Sequence, residues 1–357
     1  MQDFIYSSPA SRVIFGAGSL RHVIREIDLL GAGRAIVLST PEQRADADHV
    51  AAMIGERCAG IFDRAVMHVP IETARQAREL ARQVNADCAI AIGGGSTTGL
   101  GKAIALESPL PILAIPTTYA GSEMTPIYGI TEAGLKKTGR DMRVLPKTVI
   151  YDPELTVGLP TSLSATSGIN AIAHAAEGLY AQDANPIISL FAEEGIRALA
   201  QGLPAVLANP SDMEARSQCL YGAWLCGTVL GSVGMALHHK LCHTLGGTYN
   251  LPHAETHTVV LPHALAYNAA AAPDAMKRIA KALGGANASQ AVYDLAKALN
   301  APLSLKEIGM PEGEIDRCVE IAMQNAYANP RPLEKAALRR LLDDAFHGRR
   351  PAASEAP

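Results

Sequence analysis

His239 and His243 stand four residues apart in LHHKLCHTLGG, and His253 follows shortly after Pro252. Asn170 and His174 repeat the same spacing in SGINAIAHAAEGLY. Residues four apart share one face of a helix, so each pair can aim two side chains at one point. Imidazoles so arranged can bind zinc or iron, or they can hold anions and move protons near neutral pH. A lone histidine is usually a satisfied polar residue, but five of the chain's eleven histidines (238, 239, 243, 253, 257) fall within twenty residues. An aspartate at 170 would make a hard-metal site natural. The asparagine present is neutral, which removes a full charge from any ligand shell. His238, next to His239, is expected to point elsewhere, and His257 and His263 are expected to be structural. Cys242 is read as a buried thiol.

A second constellation suits a nucleotide. In AIGGGSTTGLGK (91–102) a buried strand runs into Gly93, Gly94 and Gly95, followed by Ser96 and Thr97. Three glycines allow a tight turn and close approach of backbone N–H groups to a pyrophosphate, and the helix that follows adds its positive end. The pattern is neither GxGxxG nor the P-loop, because no Ser or Thr follows Lys102. A second loop, AIPTTYAGSEMT (114–125), offers the hydroxyls of Thr117, Thr118 and Ser122 beyond another strand. After the first strand comes STPEQ, without a carboxylate at the strand's end to hold a ribose 2′-hydroxyl. NADPH is therefore expected to be tolerated alongside NADH.

The elements that must position these groups come in two textures. Strands are expected at AIVLS (35–39), AVMHV (65–69), CAIAIGGGS (88–96), ILAIPTT (112–118) and TVIYD (148–152), with helices over PEQRADADHVAAMIGERC and ETARQARELARQVNA. Alternating strands and helices imply an α/β, Rossmann-like domain with a parallel sheet, covering residues 1–157 and binding a dinucleotide. Residues 158–357 read as an all-α domain that holds the substrate. The helix carrying His239 and His243 is expected to stop at Gly246–Gly247, and the tail HGRRPAASEAP to fray.

With 357 residues, 48% hydrophobic and 18% charged, and a net charge of −4, the chain has neither a nucleic-acid footprint nor an acidic tail. No apolar run reaches the roughly 18 to 20 residues that span a bilayer, so no membrane partner is expected. The start lacks a basic n-region and an apolar h-region, and the six scattered cysteines form no CxxC pair. A cytoplasmic protein with reduced thiols is the expectation.

The order GGGS, PTTYAGSE, DPEL, the helix of Asn170 and His174, then HxxxH followed by PH resembles the iron-containing (group III) alcohol dehydrogenase family, from about residue 10 to 265. The resemblance implies the dehydroquinate synthase-like fold of that family. The variants GGGSTTGLGK and PTTYAGSEMT, the opening DFIY…RVIFGAGSL, and YANPRP look like the branch of maleylacetate reductases. That likeness implies NADH- or NADPH-dependent reduction of a carbon–carbon double bond, giving 3-oxoadipate in aromatic-ring degradation. Family dehydrogenases carry GGGSxxDxAK, where this chain has Gly99 and Gly101, and an Asp-plus-three-His metal set. By motif that set maps to Asn170, His174, His239 and His253, a degenerate site for which no metal is expected to be essential.

On the same resemblance His243 is expected to be the proton donor or enolate polariser, with Tyr119 and His253 as further catalytic candidates. Asn170, His174, His239 and Arg331 would shape the substrate pocket, Arg143 and Lys240 being weaker candidates for its carboxylates. Glu177 would orient a neighbour, and Thr40 and Lys137 would join the cofactor contacts. The nicotinamide is expected to face the histidines across an interdomain cleft. A homodimer is implied by the family, and the apolar N-terminal stretch could pair edge to edge. A metal-dependent alcohol or aldehyde reductase, a non-redox enzyme on the related fold and a non-catalytic nucleotide-binding module are the competing readings.

Overall fold

The computed structural model describes Tyr6 and residues 11–132, 135–324 and 327–352. It divides into two compact units that meet in sequence between Leu159 and Pro160.

The first unit is built on a six-stranded parallel sheet in the order β1-β8-β5-β4-β2-β3. Its strands are β1 (Arg12–Phe15), β2 (Ala35–Leu38), β3 (Cys58–Phe62), β4 (Cys88–Gly93), β5 (Ile112–Pro116) and β8 (Thr148–Tyr151). The antiparallel pair β6 (Ile127–Glu132) and β7 (Leu135–Arg140) stands apart from it. Successive side chains of a strand point to opposite faces, and both faces here are buried, so the strands read as unbroken apolar runs. Ala35 and Val37 pack with Val23 and Ile27 of α1 (Val23–Leu29) and Val50 and Ile54 of α2 (Arg44–Ile54). Ile36 and Leu38 pack on the other face with Ala74, Ala77 and Ala81 of α3 (Ile71–Gln83) and Leu100 and Ile104 of α4 (Gly95–Glu107). The register pairs Gly93 with Pro116 and Leu38 with Ala91, so the loops leaving β2, β4 and β5 emerge side by side.

Two expectations are corrected in this unit. Residues 65–69 form no strand, because His68 (φ 65°) and Val69 (φ 45°) lie in the left-handed region. The strand between α2 and α3 is CAGIF, freed from the expected helix because α2 stops at Ile54, before Gly55 at φ 58°. Edge strand β1 and the β6–β7 pair went unanticipated.

The second unit is helical: α5 (Thr161–Leu179), α6 (Pro186–Ala208), α7 (Met213–Ser232), α8 (Leu237–Tyr249), α9 (His253–Asn268), α10 (Pro273–Ala282), α11 (Ala288–Ala298), α12 (Ile315–Ala322) and α13 (Lys335–His347). Helix α5 is buried on every side from Ser164 to Leu179, which its run of Ala, Ser and Gly permits. Helices α6 and α7 meet through small residues: a Cβ on Gly195 would sit 2.7 Å from Cys226 Sγ, and one on Gly202 would sit 2.7 Å from Cys219 Sγ. Helix α8 does not stop at Gly246–Gly247. It runs on to Tyr249 and ends at Asn250 in the left-handed conformation, because packing of Leu237, Leu241 and Leu245 outweighs a glycine cost of about 1 kcal/mol per residue. Helix α13 ends at His347, and residues 353–357 of the expected frayed tail lie outside the described residues. No single helix among the described residues is long and apolar enough to cross a membrane.

Candidate active site

In the first unit, β4 delivers its chain into the glycine turn and α4 begins at once, with Gly94 as its N-cap and no side chain capping it. The first N–H groups of α4 are left for an incoming anion. Gly93 takes φ +147°, and a Cβ on Gly94 would lie 2.9 Å from Thr118 Cγ2, so the two loops touch through a position that admits no side chain. The N–H of Thr117 donates to the Gly93 carbonyl at 3.1 Å. Thr97 and Thr117 are buried, while Ser96, Thr118, Ser122 and Thr40 are half-buried beside them. Lys137 stands apart, exposed on β7 and paired with Glu132 at 2.9 Å. Tyr119 is fully buried.

Two residues that the sequence did not single out hold these loops. Gln43 Nε2 donates to Thr117 Oγ1 at 2.6 Å, and Gln43 Oε1 lies 2.7 Å from where a Gly93 Cβ would be. Lys102, fully buried, donates to the carbonyls of Ser122 (2.6 Å) and Ile127 (2.8 Å) and to Thr125 Oγ1 (2.9 Å). Burial pulls its ammonium down to about 7, and nearby Glu123 opposes that shift. The lysine of GLGK is thus a clamp between α4 and the second loop. A carboxylate also exists near the end of β2 after all: Glu42 is held below its ordinary range by its own backbone N–H and then by the Thr40 hydroxyl.

In the second unit, α5 carries Asn170, His174 and Glu177, α8 carries His239 and His243, and His253 opens α9. Asn170, His174 and His239 are buried, His253 is half-buried and His243 is exposed. Ring centroids lie 5.1 Å apart for His174 and His239, and 6.2 Å for His239 and His243. His257 corrects its expected structural role, since its ring is central: 4.3 Å from His253, 4.8 Å from His238 and 5.0 Å from His239. The signal was present, because His253 and His257 repeat the four-residue spacing. His238 also joins the cluster rather than pointing away, with its Nε2 3.0 Å from His257 Nδ1 and 3.6 Å from Cys242 Sγ.

Burial, and then the neighbouring imidazoles, hold His174, His238 and His257 well below the ordinary 6.5. Glu177 is wholly buried and lies 2.7 Å from His239 Nδ1. Asn170 Oδ1, His174 Nδ1 and His239 Nε2 find no hydrogen-bond partner among the described residues. The remaining candidates for substrate carboxylates are engaged elsewhere. Arg331 lies over the Tyr267 ring at 4.4 Å and reaches Glu334 at 3.3 Å, Arg143 pairs with Asp141 at 2.6 Å, and Lys240 sits 5.6 Å from the Tyr327 ring centroid.

Of the four positions mapped to a metal set, Asn170, His174 and His239 each keep a buried polar atom without a partner among the described residues. Residue 170 supplies no charge, and the donor atoms of His174, His239 and His253 are not gathered within 4.8 Å of one another. Among the described residues the group that does meet that distance is His238, Cys242 and His257.

Known proteins fit this architecture along the whole chain. Residues 10–153 match iron-containing alcohol dehydrogenase, and residues 164–346 match the C-terminal part of the Fe-containing alcohol dehydrogenase family. A maleylacetate reductase of Burkholderia cepacia is 63% identical over 352 residues, which is 99% of this chain and 100% of that protein. Crystal structures of maleylacetate reductases from Agrobacterium tumefaciens and from Rhizobium sp. strain MTP-10005 are each 54% identical, cover 98% of this chain and 100% of theirs, and superpose with TM-scores of 0.95 and 0.94. Glycine turn, parallel sheet and histidine-bearing helices thus come together as one inherited design: the chain belongs to the iron-containing alcohol dehydrogenase family of oxidoreductases.

Proposed function

We propose that this chain reduces the carbon–carbon double bond of maleylacetate to give 3-oxoadipate, with NADH or NADPH as reductant. The observation that carries the reading is full-length 63% identity to a maleylacetate reductase. We assign dinucleotide binding to the first unit, through Gly93, Gly94, Gly95, Ser96, Thr97, Thr117, Thr118, Ser122 and Thr40. We assign substrate binding to the second. Lys137 is left out, its ammonium being engaged by Glu132. A homodimer working in the cytoplasm completes the proposal.

A nicotinamide bound by the first unit would supply a hydride to the carbon β to the ketone. The displaced electron pair is then shared by the α carbon and the ketone oxygen as an enolate, and the α carbon takes a proton, so one hydride and one proton are added in total. Pre-aimed N–H donors on this chain can hold the enolate oxygen, each contributing on the order of a few kcal/mol. His243 is the exposed member of the cluster, so it can regain a proton from water between turnovers. We give it the proton-donor role and His253, half-buried across the cluster, the second place. Asn170, His174 and His239 line the substrate side, which suits an anion better than a ring of carboxylates would.

The residues present fit the family's iron less well than an aspartate-bearing set would. The amide at 170 takes a full charge from that set, which lowers metal affinity, and no step here uses a metal. A second reading, a metal-dependent alcohol or aldehyde reductase, is favoured by one observation: the Glu177–His239 contact is the support that metal-ligating histidines commonly have.

The test follows NADH and NADPH oxidation with maleylacetate before and after exhaustive chelation, with metal analysis of the same sample. Full activity in metal-free protein is the expected result. Activity lost on chelation and restored by iron or zinc would overturn the metal-independent half, and no turnover of maleylacetate in either state would overturn the reading itself.

A further inference from the structure

Glu177 is wholly buried on α5, yet it pairs with no lysine or arginine among the described residues. Its carboxylate is instead surrounded by donors from the start of α8. Oε2 accepts from the N–H of Ala236 at 2.8 Å and of His239 at 3.4 Å, and Oε1 accepts from the N–H of His238 at 2.8 Å. Helix α8 has no side-chain cap of its own, its N-cap being Ala236. Glu177 supplies that cap from another helix, where a negative charge is also favoured by the helix dipole. The same Oε2 lies 2.7 Å from Nδ1 of His239. A carboxylate already receiving backbone N–H groups has only acceptor capacity left, so the hydrogen in this contact belongs to the imidazole. The other ring nitrogen, Nε2, is buried and finds no partner among the described residues.

We propose that Glu177 is a positioning residue that locks His239 as the Nδ1–H tautomer and leaves Nε2 as its single open nitrogen. Any hydrogen that His239 exchanges with a ligand then passes through Nε2. The ring cannot flip without losing its bond to Oε2, so one buried group sets both the orientation and the chemical identity of a pocket-lining imidazole. Helix start and side chain share the same two oxygens, which ties the register of α8 to the aim of the ring. The kinetic part of this inference rests on the proposed reduction of maleylacetate, whereas the tautomer part does not.

The experiment records long-range 1H–15N correlation spectra of the full-length protein, with the His239 signals assigned by their loss in H239N. The wild type is expected to show His239 protonated at Nδ1. A wild-type His239 protonated at Nε2 alone would overturn the proposal, whatever the protein catalyses. In E177Q, which keeps the size but has one acceptor oxygen and two N–H groups, the amide can donate to Nδ1, so the tautomer is expected to invert. With maleylacetate, kcat should fall at least tenfold while KM changes less than threefold, and E177D should recover part of kcat. A folded E177Q with the wild-type tautomer and the wild-type kcat would sink the idea. If E177Q fails to fold, the wild-type spectrum still decides the matter.

Discussion

His174 of α5 and His239 of α8 face each other with ring centroids 5.1 Å apart and planes inclined at 33°. One turn before His174 stands Asn170, and on the far side of His239 stands Glu177. Two helices thus present an amide and imidazoles at the centre of the cluster while the Glu177 carboxylate is spent on orienting a ring.

Replacing Asn170 with aspartate would return a charge to this spot. N170D is expected to raise iron or zinc content per chain after growth in metal-supplemented medium and to lower kcat/KM for maleylacetate by about tenfold or more, since an added anion repels a dianionic substrate. Metal content is read by elemental analysis and activity by NADH absorbance. A variant that reduces the substrate better than wild type would contradict the charge argument.

His243 is exposed on α8 and packs 6.2 Å from His239, ring to ring. H243N should lower kcat by about 10²- to 10⁴-fold, the usual worth of a positioned proton donor, and should leave NADH affinity within a factor of about two. Stopped-flow turnover and fluorescence titration separate the two effects.

The contact between Gly94 and Thr118 gives a steric test of the nucleotide loops. A methyl group at 94 would meet Thr118 Cγ2 at 2.9 Å, so G94A must push the second loop away from the glycine turn. Overpacking of this kind costs about 1–3 kcal/mol, and NADH affinity should drop with it. The double variant G94A/T118G removes the obstructing atoms and should recover most of the affinity in a fluorescence titration.

Stability should fall in mild acid. The folded-state pKa values of His174, His238 and His257 lie well below 6.5, held down chiefly by burial, while unfolded histidines titrate at about 6.5. The unfolded chain therefore binds more protons below that pH, so the stability present above 6.5 is lost progressively as pH falls through it. Three such groups allow a slope of at most about 4 kcal/mol per pH unit. His263, lowered to about 4 by burial, adds to the loss between about 6.5 and 4. Urea midpoints measured from pH 8 to pH 5 check this, and a midpoint that does not move would count against it.

Much of the first unit could be read from residue order because its strands are buried on both faces and appear as continuous apolar runs. AIVL, CAIAIG and ILAIP all lie where expected. Residues 65–69 misled because AVMHV has strand composition, yet it takes left-handed backbone at His68 and Val69, which no propensity reveals. The histidine cluster was legible from four-residue spacing at 170/174 and 239/243, but the same rule applied to 253/257 would also have brought in His257. What spacing cannot show is which polar groups already have partners. Arg331 looked free until Tyr267 and Glu334 were seen beside it, and Lys102 looked like a broken phosphate motif until its carbonyl acceptors appeared. Gln43 carried no local signature because its partner, Thr117, comes from a different strand's loop.

The thiols seated on Gly195 and Gly202 have a bearing on how this unit can change its chemistry. Where main chains approach so closely, sliding one helix past the other meets hard resistance, and α5, packed against both, is fixed like a rail. A ligand-bearing side chain on that rail can be exchanged for another without its mount drifting, so an amide can stand in a place suited to an acid and still aim at the same point. The rigidity of the frame is what makes the site's occupants replaceable.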